Sequence, residues 1–444
     1  MEHTPLDTIC AISTAYGQGG IAVVRVSGDR AISVVGSCFV SRRPLEQAKP
    51  YSVVYGALHR EDEVLDEVLV TVFRAPHSYT GEDTVEIACH GSLYIQQEVL
   101  RWLVEAGCRM ARPGEFTQRA FLNGKMDLTR AEAVADLIAS QSRAEKDLAL
   151  SQLRGSVSER IQSLRDRLLH LTSLLELELD FADHEELEFA DRGELHQLAD
   201  EIYTTLRQLT DSFRTGNAIR HGIPVAIVGA PNAGKSTLLN ALLGEQRAIV
   251  SDVRGTTRDT IEDTLLIEGV LFRLTDTAGI HATDDQLEQL GIERSLRAAE
   301  RAQIILEVVD ATNPVVSSEW QDDERLLRVW NKCDCQQPTA SSQQLITISA
   351  KQGDIQPLRD ELLLRAQQTL DRSAVMISNA RHYEALLRAE QAIDRVRRGM
   401  DDGLSGELLS MDLQDCLAAL GEVTGQITNQ EVLSNIFSKF CIGK

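Results

Sequence analysis

Gly229-Ala230-Pro231-Asn232-Ala233-Gly234-Lys235-Ser236 lies between an apolar run, Pro224 to Val228, and a segment of helical spacing, Thr237 to Leu243. Gly-x4-Gly-Lys-Ser in a strand–loop–helix setting is a phosphate cradle. The glycines let the loop turn its backbone N–H groups inward, and the helix N-terminus adds the positive end of its dipole. Lys235 supplies a point charge to the β- and γ-phosphates, and the Ser236 hydroxyl is a Mg2+ ligand. Asn232, Ala233, Gly234 and Thr237 complete the predicted phosphate contacts.

Three further motifs follow at strand ends. Leu271 to Thr275 reads as a strand ending in Asp276-Thr277-Ala278-Gly279, where an acid reaches the Mg2+ shell and a Gly N–H meets the γ-phosphate. Ile304 to Asp310 is another strand, and Leu326 to Trp330 a fourth, ending in Asn331-Lys332-Cys333-Asp334. A carboxylate at Asp334 accepts from N1–H and the exocyclic amine of guanine; adenine has neither donor there, so guanine is selected. Leu345 to Lys351 reads as a fifth strand carrying Ser349-Ala350-Lys351, which supports the base. Order and spacing match a Ras-like G domain, a doubly wound, mostly parallel sheet with its ligand at the strand C-termini.

One position departs from that pattern. The place after Asp-x-x-Gly, where a Gln orients the attacking water in Ras-like proteins, holds Ile280. Water must then be positioned by another group, or hydrolysis is slow. Gly255-Thr256-Thr257-Arg258-Asp259 suits a loop that closes over Mg2+ and γ-phosphate. Arg254 or Arg258 could be a charge-stabilising finger, or could form salt bridges within that loop.

The elements around this site divide the 444 residues. Residues 1–120 mix short β-rich runs (Ile21 to Val26, Tyr51 to Tyr55, Val68 to Phe73, Thr84 to Ala88) with a helical run near Ile95 to Ala106, which predicts an α+β domain. Residues 121–218 turn helical. Leu150, Leu153, Val157, Ile161, Leu164, Leu168, Leu171 and Leu175 form one stripe, predicting a single long amphipathic helix. The acidic run that follows, Glu176 to Glu188, reads as a solvated face. Residues 219–372 form the G domain, and 373–444 return to helix. Neither helical part looks complete alone, so the economical arrangement is one helical domain interrupted by the α/β domain, its two ends close together.

Composition narrows the partners. A net charge of -22 repels phosphate backbones over most of the surface, so nucleic acid would need a local basic patch or a basic partner. No stretch of 18 apolar residues and no secretory signal is present, which predicts no membrane span and a cytoplasmic location. The eight cysteines include no CxxC pair, and Cys333 and Cys335 lack companions at zinc spacing.

The Gly-Thr-Thr-Arg-Asp loop, the insertion in a helical domain and the last residues Phe440-Cys441-Ile442-Gly443-Lys444 together resemble the MnmE (TrmE) family of tRNA-modification GTPases. Gly19-Gly20-Ile21, Arg25-Val26-Ser27-Gly28, Tyr79-Thr80-Gly81-Glu82-Asp83, Arg112-Pro113-Gly114-Glu115-Phe116-Thr117 and Arg119-Ala120-Phe121-Leu122-Asn123-Gly124-Lys125 add to it. The resemblance covers essentially the whole chain. It implies that the N-terminal domain binds 5-formyl- or 5,10-methylene-tetrahydrofolate through Arg25, Glu82 and Lys125, with Lys444 joining them, and that it dimerises. It implies a K+ ion in place of an arginine finger, held by Asn232 and by Ser251, Val253 and Thr256, within a nucleotide-contacting loop Ser251, Asp252, Val253, Arg254 and Gly255. Thr257 becomes the switch I Mg2+ ligand, and Glu288 orients water in place of Ile280. With Lys235, Glu288 and Thr257 form the expected catalytic set. Cys441 matches the family's tail cysteine, a candidate reactive group.

The resemblance further implies a homodimer. An FAD-containing partner, MnmG (GidA), joins it in a heterotetramer or larger complex. The pair adds an aminomethyl or carboxymethylaminomethyl group at C5 of the wobble uridine of certain tRNAs, with tRNA held mainly through the complex. The alternative is a GTP-switched binding module such as a ribosome-assembly factor. Such factors usually append a basic RNA-binding domain, whereas this chain carries an acidic helical one.

Overall fold

Alternation of side chains along Ile21–Ser27 and Glu63–Phe73 sends Val24, Val26, Val68, Val70 and Val72 to one face of a sheet and leaves charged or exposed residues on the other. The computed structural model describes residues 7–61, 63–180, 192–244, 262–276, 297–336, 346–369 and 375–444. The chain divides into two compact units. One runs up to Ala135 and includes Gly421–Lys444; the other is Asp136–Leu420.

In the first unit the strands are β1 (Ile9–Ile12), β2 (Ile21–Ser27), β3 (Phe39–Ser41), β4 (Ser52–Arg60), β5 (Glu63–Phe73), β6 (Thr84–His90) and β7 (Arg109–Met110). They form one sheet in the order β3-β4-β5-β6-β2-β1-β7, antiparallel except for β1 with β7. Helices α1 (Ala31–Cys38) and α2 (Leu93–Glu105) bury Val34, Val35, Val99, Trp102 and Leu103 among the inward residues of this sheet. Helix α3 (Glu115–Leu122) places Phe116 against Ile9 and Ala11 on the opposite face. The first turn of α4 (Leu128–Ala139) and α12 (Gln430–Ser438) share a cluster of Leu128, Ala131, Leu433, Phe437 and Phe440. The C-terminal residues therefore complete the unit that holds the N-terminal ones. Gly114, at φ +67, is required there: a Cβ on it would lie 2.6 Å from the Phe437 carbonyl oxygen.

In the second unit the expected single long helix is two. α5 (Arg143–Leu153) and α6 (Ser156–Asp180) are separated by Gly155, whose φ of +103 no continuing helix adopts. The stripe nonetheless stays on one side, because Val157, Ile161, Leu164, Leu168, Leu171 and Leu175 are all buried. α7 (Arg192–His221) packs with α10 (Ala380–Asp401), and α6 is tied to α11 (Gly406–Thr424). Phe213 stacks on Tyr383 at 4.3 Å, Thr210 donates to Glu390 (2.7 Å), and Arg165 donates to the Leu417 carbonyl (2.7 Å). The chain leaves this bundle after α7 and returns beside it. A Cβ on Gly216 would meet the Ile377 carbonyl at 2.3 Å, and Ser212 accepts from the Ile377 amide. The helical domain is thus interrupted at two points that touch, as the insertion reading requires.

The inserted sheet comprises β8 (Ile223–Val228), β9 (Glu262–Ile267), β10 (Val270–Asp276), β11 (Ile304–Asp310), β12 (Leu326–Asn331) and β13 (Ile346–Thr347). Their order is β13-β12-β11-β8-β10-β9, parallel apart from the β9–β10 pair. The sequence reading contained no β9 and made the last strand too long. α8 (Lys235–Gly244) and α9 (Gln356–Thr369) contribute Leu238, Leu239, Leu242, Leu358, Leu362 and Ala366 to one core with the strands. Between β11 and β12, where a crossover is usually helical, residues 311–325 form turns and coil. Trp320 from this segment packs against Ala226, Val228, Ala299, Ala302 and Ile305. Buried Glu307 fastens it by accepting from the Ser317 amide (2.7 Å) while pairing with Arg328 on β12 (2.7 Å). The polar stretch 312–323 thereby covers the sheet.

Candidate functional site

The loop Gly229–Gly234 joins β8 to α8, and two of its glycines are there because other groups press on it. Gly229, at φ +139, would place a Cβ 2.3 Å from the Val308 carbonyl of β11. Gly234, at φ +95, would place one 2.3 Å from Asn331 Nδ2. Side chains at either point would push the loop off the strand ends. Lys235, the first residue of α8, donates from Nζ to the Gly229 and Ala230 carbonyls at 2.7 and 2.9 Å. Ser236 and Thr237 are exposed on the same turn. Asn232 is exposed in the left-handed region at φ 61.

The ends of β12 and β13 brace this loop. Asn331 is 2% exposed; its Nδ2 donates to the Ala233 carbonyl (3.0 Å) and its Oδ1 accepts from the Ala350 amide (3.0 Å). Lys332, at φ 64, donates from Nζ to the Asn232 carbonyl (2.9 Å) and to Asp310 Oδ2 (2.6 Å). Asp334 lies open to solvent. Ser349 donates to its Oδ1 at 2.7 Å and the Cys335 thiol to its Oδ2 at 3.5 Å. The Ser349 bond chiefly holds the Asp334 carboxyl below its ordinary range, which leaves it an acceptor. Asn232, Ala233, Gly234, Lys235, Asn331, Lys332, Asp334, Ser349 and Ala350 thus form one connected end of the sheet, with Lys351 exposed beside it. The sequence marks Asp310 only as a strand end; its place between Lys332 and Thr312 has no local sequence signature.

Several expected residues lie outside the described ones: Ser251, Asp252, Val253, Arg254, Gly255, Thr256, Thr257, Thr277, Ala278, Gly279 and Glu288. Asp276 closes β10, but its side chain is likewise outside them.

A second polar centre lies in the first unit. Arg119 on α3 is 1% exposed and ties together Glu82 (3.1 Å), Asp7 (3.1 Å) and Glu115 (3.4 Å). Ser27 also donates to Glu82, at 2.8 Å, within a hydroxyl cluster with Thr80 and Thr84. Arg25 pairs with Glu86 at 2.8 Å, and its guanidinium stands 5.4 Å from the Tyr79 ring centroid and 5.6 Å from that of Phe116. Lys125 donates to the Pro76 carbonyl (2.8 Å), and the Lys444 carbonyl accepts from the Phe116 amide (3.2 Å). Of the four expected residues, Arg25 and Lys444 meet at Phe116, while Glu82 joins through Arg119, three residues further along α3. Burial raises the Glu115 carboxyl, but the bonds from Arg109 and the Arg112 amide outweigh it and leave it below its ordinary range. The sequence reading missed Arg119, Tyr79 and Phe116 as a group, although each stands in a quoted motif. Cys441 is exposed; its carbonyl accepts from the Gly114 amide at 3.5 Å.

The match to known proteins gives the family of the chain. The model of the MnmE helical domain matches residues 128–441, and that of the GTP-binding protein TrmE N-terminus matches residues 8–125. The chain belongs to the MnmE family. A tRNA modification GTPase MnmE of Parabacteroides distasonis is 52% identical over 99% of this chain and 100% of its own length. Those of Bacteroides fragilis and Porphyromonas gingivalis are each 49% identical over 99% of this chain, covering 99% and 98% of their own. The G domain of the T. maritima FeoB iron transporter aligns with 34% of this chain and 99% of its own, at 20% identity and a TM-score of 0.24, too low to carry an argument. Like its MnmE relatives, the protein is a GTPase of tRNA modification. Among the described residues no helix is long and apolar enough to cross a membrane.

Proposed function

We propose that the protein is a K+-stimulated GTPase that works with an FAD-containing partner. Together they add a carboxymethylaminomethyl or aminomethyl group at C5 of the wobble uridine of certain tRNAs, using a tetrahydrofolate one-carbon unit. The observation that carries this reading is the presence, in one chain, of a braced strand-end loop and a separate polar centre in which Arg25 and the Lys444 carbonyl meet at Phe116 and Arg119 holds Glu82.

The residues fit the ions the reaction needs. Ser236 is an exposed hydroxyl on the first turn of α8, a hard oxygen suited to Mg2+. The Asn232 carbonyl is taken by Lys332, which leaves its side-chain amide oxygen for a monovalent cation. When bound, the two cations supply positive charge against that developing on the phosphates. The phosphate loop and Lys235 orient the γ-phosphate, and Asp334 holds the guanine. Water attacks the γ-phosphorus while the bond to the β–γ bridging oxygen breaks, releasing GDP and phosphate. Glu288 is the residue we assign to that water.

In the first unit Glu82 is an acceptor suited to the amino edge of a pterin. Arg25, Lys125 and Lys444 suit a carboxylated tail, and Tyr79 and Phe116 offer flat apolar faces. A homodimer is supported by the sheet face away from α1 and α2. Val53 and Tyr55 on β4, Leu69 on β5, Val40 on β3 and Ile21 on β2 are 48–69% exposed on that face. These exposed apolar side chains, interspersed with Glu67 and His90, suit an interaction surface with a polar component. The acidic chain leaves most of the tRNA contact to the partner.

The deciding experiment is the GTP hydrolysis rate of the full chain in KCl and in NaCl at equal ionic strength. A rate at least about tenfold higher in KCl is expected for a charge-stabilising cation. Equal, slow rates in both salts would remove the K+ mechanism.

A further inference from the structure

We propose that Asp310 is a positioning residue of the nucleotide site: it fixes Lys332 and, through Lys332, the phosphate-loop carbonyl of Asn232, so that base recognition and phosphate recognition are held as one rigid unit. This rests on reading the strand ends as the guanine site.

The geometry is a short relay. Asp310 closes β11 and sits in register with Asn331, which closes β12. Its Oδ2 accepts from Lys332 Nζ at 2.6 Å. Its Oδ1 accepts from the Thr312 amide at 2.8 Å and the Thr312 hydroxyl at 2.7 Å, so the carboxylate cannot swing. Lys332 Nζ then donates to the Asn232 carbonyl at 2.9 Å. Both Lys332 and Asn232 stand in the left-handed region, at φ 64 and 61. A lysine there is unfavourable and persists only when its surroundings hold it. The Asp310–Lys332 pair and the Lys332–Asn232 bond supply the side-chain part of those surroundings, beside the turn bonds from the Cys335 and Gln336 amides to the Lys332 carbonyl. Burial alone would raise the Asp310 carboxyl, yet Lys332 and the two Thr312 donors bring it down to about 2. The carboxylate is therefore charged at any pH at which the enzyme works.

The relay predicts a division of effects. The Asp310 carboxylate is engaged by Lys332 and Thr312, which assigns it to holding Lys332 rather than to the chemical step. Its loss should loosen nucleotide binding and leave turnover at saturating GTP intact. Asp310→Asn keeps the size and keeps Oδ1 on Thr312, but presents Nδ2 rather than an anion to the Lys332 ammonium.

The experiment is titration of the full chain with a fluorescent GDP analogue, alongside hydrolysis rates at saturating GTP. D310N should weaken nucleotide binding about tenfold, which is 1.4 kcal/mol, with kcat within about twofold of the parent. D310E, which restores the charge one methylene further out, should recover most of the loss. K332A should weaken binding too, and D310N should add less than about twofold in that background, since contacting residues are non-additive. If D310N melts early, T312V is read instead: it removes the hydroxyl donor to Oδ1, leaves the Thr312 amide donor and the charge in place, and a loss of about threefold is expected. D310N binding as tightly as the parent overturns the proposal. So does an undiminished D310N effect in the K332A background, a fall in kcat at unchanged affinity, or an indifferent T312V. A parent that fails to bind the GDP analogue removes the guanine-site reading itself, and the role of Asp310 with it. A parent that binds beside an indifferent D310N removes the relay alone.

Discussion

On the proposed reading of Asp334 as the guanine-binding carboxylate, Ser349 orients it through a hydrogen bond. Its hydroxyl is buried and donates to Asp334 Oδ1, whereas Asp334 is open to solvent. An exposed carboxylate samples several rotamers, and guanine needs one in which both oxygens face N1–H and the exocyclic amine. Ser349→Ala is expected to weaken GTP and GDP binding about fivefold, the scale of one hydrogen bond, while the thermal melt stays put. Equal affinities in a nucleotide titration would show that Asp334 is oriented by something else. Arg119 occupies the same position in the first unit. It is almost wholly buried, yet it is matched by the carboxylates of Glu82, Glu115 and Asp7. Removing one partner of such a set leaves a buried charge uncompensated, so Arg119 belongs to the folding of this unit as much as to the Glu82 site.

At the scale of elements, close backbone approach governs both sites. The phosphate loop meets β11 and β12 only because Gly229 and Gly234 lack a Cβ, and α3 starts against α12 only because Gly114 does. Gly114→Ala combines a strained left-handed residue with a carbonyl 2.6 Å from its new methyl group. It is expected to loosen α12 and the tail that carries Cys441 and Lys444. Hydrogen exchange should accelerate across Gln430–Lys444 while β8 and β11 keep their protection. Unchanged exchange in that segment would show that the apolar cluster around Leu433 and Phe437 suffices to hold it. The helix-free segment between β11 and β12 works the other way, since Trp320 and the Glu307–Ser317 bond replace a helix as cover for the sheet.

For the whole molecule, the chain's two ends meet in one unit, and the GTPase sheet is spliced into a helical bundle in the other. The first unit leaves Val53, Tyr55 and Leu69 exposed on one sheet face, which we read as the seat of a second copy. Leu69→Asp, placed where Leu69 pairs with Tyr55 and Ala88, should convert dimers to monomers in sedimentation while nucleotide affinity is kept. A variant that stays dimeric would move the dimer contact elsewhere.

The sequence by itself determined what is local. Gly-x4-Gly-Lys-Ser after an apolar strand specified a phosphate loop. Period-two and period-3.6 patterns specified most strands and helices, and the family motifs specified the MnmE assignment. It also specified the insertion, because neither helical segment buried its stripe alone. Tertiary structure decided what depends on neighbours far along the chain. Gly155 splits a stripe that periodicity reads as continuous, since a single left-handed residue does not interrupt the apolar spacing. β1 is only four residues long and β9 opens on Glu262-Asp263-Thr264 without apolar alternation; they exist because β2, β7 and β10 satisfy their backbone groups. Asp310, Lys332 and Asn232 lie up to 100 residues apart, yet bond in a row because parallel strand order brings β8, β11 and β12 side by side. Hydrogen-bond ladders and buried contacts fix that order, and no local spacing encodes it.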